Sequence, residues 1–264
     1  MIQAIEHLED PRVASYAHVA DHAWLTAEDL FVAEGRLVVE RLAVERRFAI
    51  QSILLTPAAH ASFEGRLDGV EAPIYICSQA LLKTLTGFNF HRGCLALAHR
   101  GEALVPIATL ASARTLVALE GVANPDNIGG IFRNALALGA EGVILDPDAS
   151  DPLYRKAIRT SMGATLRVPF ARMDDWPAGL VRFRDSGFTV AALTPAADAI
   201  DISAFAASRR KGPLMLVAGH EGHGLTAAAI AASDVRCRIP VDPRSDSLNV
   251  AVAVGIALAM LRSV

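Results

Sequence analysis

The chain has 264 residues, 52% of them hydrophobic and 20% charged. That balance is the one of a packed globular protein; it excludes disorder and a coiled coil, and at about 100–200 residues per domain the length fits two domains. A formal net charge of −3 gives no long-range positive field, so a site for a polyanion must rest on local basic clusters.

Cys77, Cys94 and Cys237 are odd in number and lie outside any C-x-x-C pair, which argues against a disulfide framework and a zinc ribbon. A reducing, cytoplasmic setting is expected. The first ten residues lack a basic segment followed by an apolar run, so no secretory signal is expected. The longest apolar stretch, Val250 to Leu261, falls short of the roughly 20 residues that span a bilayer and predicts a buried helix, with no membrane span.

In chain order, the first half predicts strands at 30–33, 50–55, 74–77 and 95–98. Between the first two lies a helix over 36–45 whose Leu37, Val38 and Leu42 point inward. These make a small α/β domain, residues 1–105. Residues 101–113 contain Gly101 and Pro106 without helical periodicity and are read as the linker. From 106 to 264 short β-rich runs alternate with helical ones. The β-rich runs are 115–119, 142–145, 188–193, 213–218 and 235–239; the helical ones are 127–138, 153–161 and the final helix. This is the pattern of a mainly parallel sheet covered by helices.

Three segments in the second half carry polar groups at strand ends. The first, Asn124-Pro125-Asp126-Asn127-Ile128-Gly129-Gly130-Ile131-Phe132-Arg133-Asn134, follows strand 115–119 and runs into a helix. In an open α/β sheet ligands bind at the carboxyl ends of strands, and the glycines would let a ligand or another backbone approach the first turn. A capped helix start with a surface arginine accounts for this segment alone about equally well. The second, Gly219-His220-Glu221-Gly222-His223-Gly224, follows another apolar strand. It has neither the Walker A nor the G-x-G-x-x-G spacing, and its histidines lack a third partner, so no metal is expected. The third runs from Arg238-Ile239-Pro240 to Ser245-Asp246-Ser247-Leu248-Asn249 ahead of the last helix. Capping explains the serines and Asp246, whereas Asn249 heads an apolar helix where a buried amide needs partners.

In order and spacing, these three segments resemble the motifs of the SpoU/TrmH family of RNA ribose 2′-O-methyltransferases, in the SPOUT class. The motifs correspond to residues 124–139, 216–225 and 238–253, and residues 155–164 resemble the segment between motifs one and two. In the first half, residues 31–35 and 91–96, with Glu34, Gly35, His91 and Arg92, resemble the ribosomal-protein-like substrate-binding domain that precedes the catalytic domain in many relatives.

The resemblance implies an α/β domain with a mainly parallel sheet and a trefoil knot at its carboxyl end. It implies methyl transfer from S-adenosylmethionine to a ribose 2′-hydroxyl of rRNA or tRNA, by a homodimer and without a metal. Arg133 is then expected beside the attacking hydroxyl, within a polar shell of Asn127, Glu221, Ser247 and Asn249. Leu193, Thr194, Gly219, Ile239 and Leu248 are expected around the cofactor, and Arg155, Lys156 and Arg159 on RNA. The second basic run, Arg209-Arg210-Lys211, reads as a solvated surface. His220 stands where a small polar residue is commoner in the family, and Asn134 where threonine is.

Displacement at a sulfonium carbon needs the oxygen in line at near-contact distance, so positioning dominates. The Arg133 guanidinium keeps its proton at any usable pH, so it suits a clamp and charge stabiliser better than a base. Two other readings compete. A nucleotide-binding oxidoreductase lacks its G-x-G-x-x-G fingerprint here. A non-catalytic RNA-binding protein on the same fold is disfavoured by the joint presence of Arg133, Glu221, Ser247 and Asn249.

Overall fold

The computed structural model describes residues 2–87, 93–208 and 212–262; His91, Arg92, Arg209, Arg210 and Lys211 lie outside the described residues. The chain forms two compact units, Met1–Ala103 with Leu153–Arg167, and Leu104–Pro152 with Val168–Val264. The first opens with β1 (Ile2–Ala4), α1 (His22–Ala27), β2 (Leu30–Glu34), α2 (Arg36–Glu45), β3 (Ile50–Leu55), α3 (Pro57–Ala61), β4 (Ile74–Ile76), α4 (Gln79–Thr86) and β5 (Cys94–His99). The second begins with β6 (Thr115–Leu119), α5 (Pro125–Leu138) and β7 (Gly142–Leu145), and the first then resumes with α6 (Arg155–Thr160). The second unit is completed by β8 (Phe170–Arg172), α7 (Ala178–Asp185), β9 (Thr189–Leu193), β10 (Ile200–Asp201), α8 (Ile202–Ser208), β11 (Leu214–Ala218), α9 (Ala227–Ala231), β12 (Val235–Arg238) and α10 (Val250–Leu261).

In the first unit the strands run in the order β1-β4-β3-β5-β2, with β5 antiparallel to both β2 and β3. Its core gathers Val13, Tyr16, Leu54, Leu82, Leu95 and Leu97, and the buried Tyr16 hydroxyl meets Ser52 Oγ at 3.0 Å. Helix α6 packs on β2 with Ala157 and Ile158 fully buried. Polar contacts frame that packing: Arg155 pairs with Glu34 at 2.9 Å, Arg167 with Glu45 at 2.6 Å, and Arg41 donates to the Met162 carbonyl. The stretch 153–167, read from sequence as part of the second domain, thus packs within the first unit.

The second unit is built on a seven-stranded sheet in the order β10-β12-β9-β11-β6-β7-β8, every pairing parallel. Helices cover both faces of such a sheet, so its central strands are apolar throughout rather than alternating; β11 is buried along its whole length and β6 from Leu116 onward. Ile144, Met215, Val217, Phe183 and Phe188 continue this core. The expected linker is not a free connection: Leu110 and Ala113 are buried, and Val105 N–H donates to the Phe170 carbonyl at 2.9 Å. Gly142 makes room for this segment, since a Cβ there would lie 2.7 Å from a Leu110 methyl. Among the described residues no helix is long and apolar enough to cross a membrane.

Candidate active site

The carboxyl edge of the parallel sheet is where three sequence segments converge. Strand β9 lies between β12 and β11, with Leu193 opposite Cys237 and Ala192 opposite Val217. This register brings Leu193, Thr194, Gly219 and Ile239 to the same edge, and Thr194 N–H donates to the Cys237 carbonyl at 2.9 Å. All four are half-buried, so each keeps surface for a ligand.

Helix α5 supplies the next component. Asn124 accepts from Asp126 N–H at 2.9 Å as the helix cap, Pro125 occupies the first turn, and Gly139 ends the helix in the left-handed region. Asn127, one turn in, is 8% exposed and joins two other predicted site residues. Its Nδ2 donates to the Glu221 carboxylate, and its Oδ1 accepts from Asn249 Nδ2 at 2.8 Å. The direction of this chain follows from α10. Asn249 Oδ1 caps that helix by accepting from Ala251 and Val252 N–H at 3.0 and 3.3 Å. Only its Nδ2 is left to face Asn127, which must therefore accept there and donate to Glu221. The amide at the head of α10, expected to be buried, is exposed, and it is at once a cap and the donor to Asn127.

Close approach of α5 and α10 keeps this chain in place. A Cβ on Gly130 would lie 2.9 Å from Ala251 Cβ, and one on Gly255 would lie 2.7 Å from Asn134 Nδ2. Asn134 donates to the Ala251 carbonyl at 2.7 Å and so ties the first turn of α10 to α5.

The glycine loop after β11 is folded back on itself. A Cβ at Gly219 would stand 2.6 Å from backbone atoms of Gly224 and Leu225, a contact only glycine allows. Gly224 N–H donates to the His220 carbonyl at 3.0 Å, and Gly222 N–H to His220 Nδ1 at 2.8 Å. The His220 and His223 rings stack at 4.0 Å. Both histidines therefore shape the loop, and among the described residues no group of three or more potential ligands could hold a metal ion.

Two buried carboxylates escaped the sequence reading. Glu120, at the end of β6, accepts from Trp176 Nε1 at 2.6 Å and from the N–H and hydroxyl of Thr226, both at 2.8 Å. Asp146, at the end of β7, accepts from Gly121 and Ala149 N–H at 2.9 and 2.8 Å, and burial raises its pKa despite these bonds. The available signal was an acidic residue closing each of two apolar runs, 116–119 and 143–145.

Other predicted residues stand apart. Arg133 follows Asn127 by six positions, about 240° around the helix. It is exposed and makes no hydrogen bond or ion pair among the described residues. Ser247 and Leu248 are also exposed, on the loop before α10. Of the basic cluster, Arg155 is engaged by Glu34 in the first unit, Lys156 is half-buried and Arg159 is exposed. A cavity of about 240 Å³ lined by Arg114, Thr115, Leu138, Leu214 and Leu258 opens at the amino ends of β6 and β11, away from the converging loops.

A wholly parallel sheet with glycine loops and a connected polar chain at its carboxyl edge defines an α/β protein of the ligand-binding, enzyme-bearing kind. The chain belongs to the SpoU rRNA Methylase family, which it matches over residues 114–259. An uncharacterized tRNA/rRNA methyltransferase of Mycobacterium bovis is 42% identical over 232 residues, 88% of this chain and 80% of the relative. The crystal structure of an AdoMet-bound rRNA methyltransferase from Sinorhizobium meliloti superposes with a TM-score of 0.82 at 25% identity, covering 99% of this chain and 97% of that one. A structure described as an RNA 2′-O ribose methyltransferase matches with a TM-score of 0.77 at 25% identity, covering 99% and 98%.

Proposed function

We propose that this chain transfers the methyl group of S-adenosylmethionine to a ribose 2′-hydroxyl of rRNA or tRNA. The observation that carries the reading is the Glu221–Asn127–Asn249 chain, which unites one residue from each of the three motif segments at the carboxyl edge of the sheet. The residues there suit the cofactor. Leu193 and Ile239, half-buried, and the exposed Leu248 offer apolar surface to an adenosine, while Thr194 and Gly219 bring backbone polar groups to the same edge. When bound, S-adenosylmethionine supplies an electrophilic methyl group.

The protein's task is then to hold a hydroxyl in line and stabilise the charge that grows on it. Arg133, permanently cationic and without an internal partner among the described residues, suits bidentate binding of the adjacent phosphate and stabilisation of the oxyanion. Ser247, exposed beside Asn249, serves the same polar shell. The proton leaves to phosphate or water.

Arg133 lies well around α5 from Asn127, which favours a homodimer in which it serves the pouch of a second copy. Val252 and Met260, 49% and 40% exposed on α10, give that second copy an apolar face to cover. The placement of β12 between β9 and β10, with the chain after it tied back to α5 through Asn249, supports the carboxyl-terminal knot. The first unit, with Arg159 exposed, is read as the RNA-binding domain.

The test is methyl transfer from radiolabelled S-adenosylmethionine to rRNA and tRNA from cells lacking the protein, followed by mapping of ribose methylation. A 2′-O-methyl nucleotide that Arg133→Ala abolishes is the expected result. RNA binding with neither cofactor binding nor transfer would instead establish the non-catalytic reading, and base methylation would overturn the ribose specificity.

A further inference from the structure

We propose that Glu120 is a positioning residue for methyl transfer, because it holds both ends of the glycine loop that carries Gly219 and Glu221. The inference rests on the reading of that loop as part of the cofactor site. Glu120 is 6% exposed, and a carboxylate so buried needs its lone pairs occupied. Its backbone N–H donates to the Ala218 carbonyl at 2.9 Å, immediately before the loop. Its carboxylate takes both the N–H and the hydroxyl of Thr226 at 2.8 Å, immediately after the loop. One residue thus clasps positions 218 and 226, and everything between them is a closed turn on a fixed base.

The base is itself braced. Trp176 Nε1 donates to the same carboxylate at 2.6 Å. Having donated to Glu120, the Thr226 hydroxyl accepts from Ala229 N–H at 3.2 Å, so the clasp is continuous with the cap of α9. The next residue, Gly121, has φ +64°, and its N–H is held by Asp146 at 2.9 Å. A Cβ on Gly121 would lie 3.5 Å from His220 Cβ, so this segment is the floor beneath the loop. From the clasp the loop leads to Glu221, whose carboxylate receives the Asn127 amide. Among the described residues Glu120 makes no hydrogen bond to Asn127 or Glu221, and in this reading it acts through the backbone it holds.

Glu120→Gln keeps the volume and replaces one acceptor oxygen with a donor amide that faces N–H and O–H donors. Losing a charge-assisted bond of this kind corresponds to roughly a tenfold effect. The expected result is a rise of about tenfold in KM for S-adenosylmethionine with kcat changed less than about threefold. Amides of 219–225 should exchange faster with deuterium while those of β6 and β11 keep their protection. Thr226→Val should reproduce both changes, Thr226→Ser should restore them, and the double variant should be no worse than either single one.

Wild-type KM with unaltered loop exchange in Glu120→Gln overturns the proposal. So does acceleration of exchange throughout the second unit, which would mark a general stabilising role. If Glu120→Gln does not fold, the Thr226→Val and Thr226→Ser pair decides by the same readouts. Loop exchange is measured without cofactor or RNA, so failure of the wild type to bind S-adenosylmethionine sinks the functional reading and still leaves the clasp tested.

Discussion

Asn127 and Asn249 lie 122 positions apart in the sequence and share one hydrogen bond of 2.8 Å. That bond joins the first turn of α5 to the cap of α10, so the polar chain at the sheet edge depends on how a helix begins. Removing the cap and removing the donor are therefore separable experiments.

Asn249→Ala loses both. Loss of the cap is worth about 1 kcal/mol, or about 2–4 °C in Tm for a protein of this size. Asn249→Asp keeps a capping oxygen, and its charge suits a helix amino terminus, but it turns an acceptor toward Asn127 Oδ1. We expect Asn249→Asp to melt close to wild type while methyl transfer falls by about tenfold or more. Parallel melting curves and transfer assays check this; equal losses in both would show that the donor has no separate role.

Gly219→Ala places a Cβ 2.6 Å from backbone that cannot swing aside. The loop must open, and calorimetric titration should show S-adenosylmethionine binding weakened about tenfold or more. Unfolding of the buried sheet beneath it should be little affected, since β11 ends one residue earlier.

Asp146 and Asp10 should affect stability with opposite pH dependence. Burial makes the folded protein hold the Asp146 proton more tightly than the unfolded chain does. Its contribution is full below the ordinary value of 3.8 and is lost as pH rises through the raised folded value. Asp10, held at about 2 by its hydrogen bonds with Arg12, contributes above 3.8, and that contribution is lost as pH falls toward 2. Denaturant unfolding between pH 2 and 7 should therefore show the difference between wild type and Asp146→Asn shrinking with rising pH, and that for Asp10→Asn growing.

The basic cluster of α6 should divide. Arg155 is paired with Glu34 at 2.9 Å, whereas Arg159 is exposed. Arg159→Ala is expected to weaken RNA binding and reduce the slope of log K against log salt by about 1. Arg155→Ala is expected to act chiefly on the melting of the first unit. A titration series at several salt concentrations discriminates the two.

Residues 106–264, produced as a fragment, should not behave as a separate folded domain. Ala157 and Ile158 are fully buried on the first unit, together with Leu153, Ala164 and Leu166 at 1% exposure or less. Without that unit they become an apolar surface with nothing of its own to cover it. Aggregation or a non-cooperative melt is expected, and a soluble fragment with a sharp transition would refute the assignment.

What was legible in the sequence follows from where the information is stored. The central strands and the two long helices could be read because continuous apolar runs and capping residues are local signals. Asn127 and Glu221 could be singled out because glycines stand close to them after strand ends, and Asn249 because it heads an apolar helix. The short edge strands β1, β8 and β10, of two or three residues, carry too little pattern to register. The attachment of α6 was illegible for a different reason: its contacts, Arg155 with Glu34 and Arg41 with the Met162 carbonyl, each span 121 positions. Helical periodicity says that Ala157 and Ile158 face a core, and is silent on which core. Glu120 was missed because an acidic residue closing a strand looks like solvent-facing punctuation until Thr226 and Trp176 are seen to surround it.

The detour of residues 153–167 into the first unit also dictates an order of events during synthesis. A ribosome that has delivered residue 103 has not yet delivered all of that unit. Strands β6 and β7 and helix α5 leave the exit tunnel first, before the segment that seals β2. The nascent protein must carry an unfinished amino-terminal half alongside an unfinished sheet, and translation speed between residues 103 and 167 sets how long both stay open to chaperones.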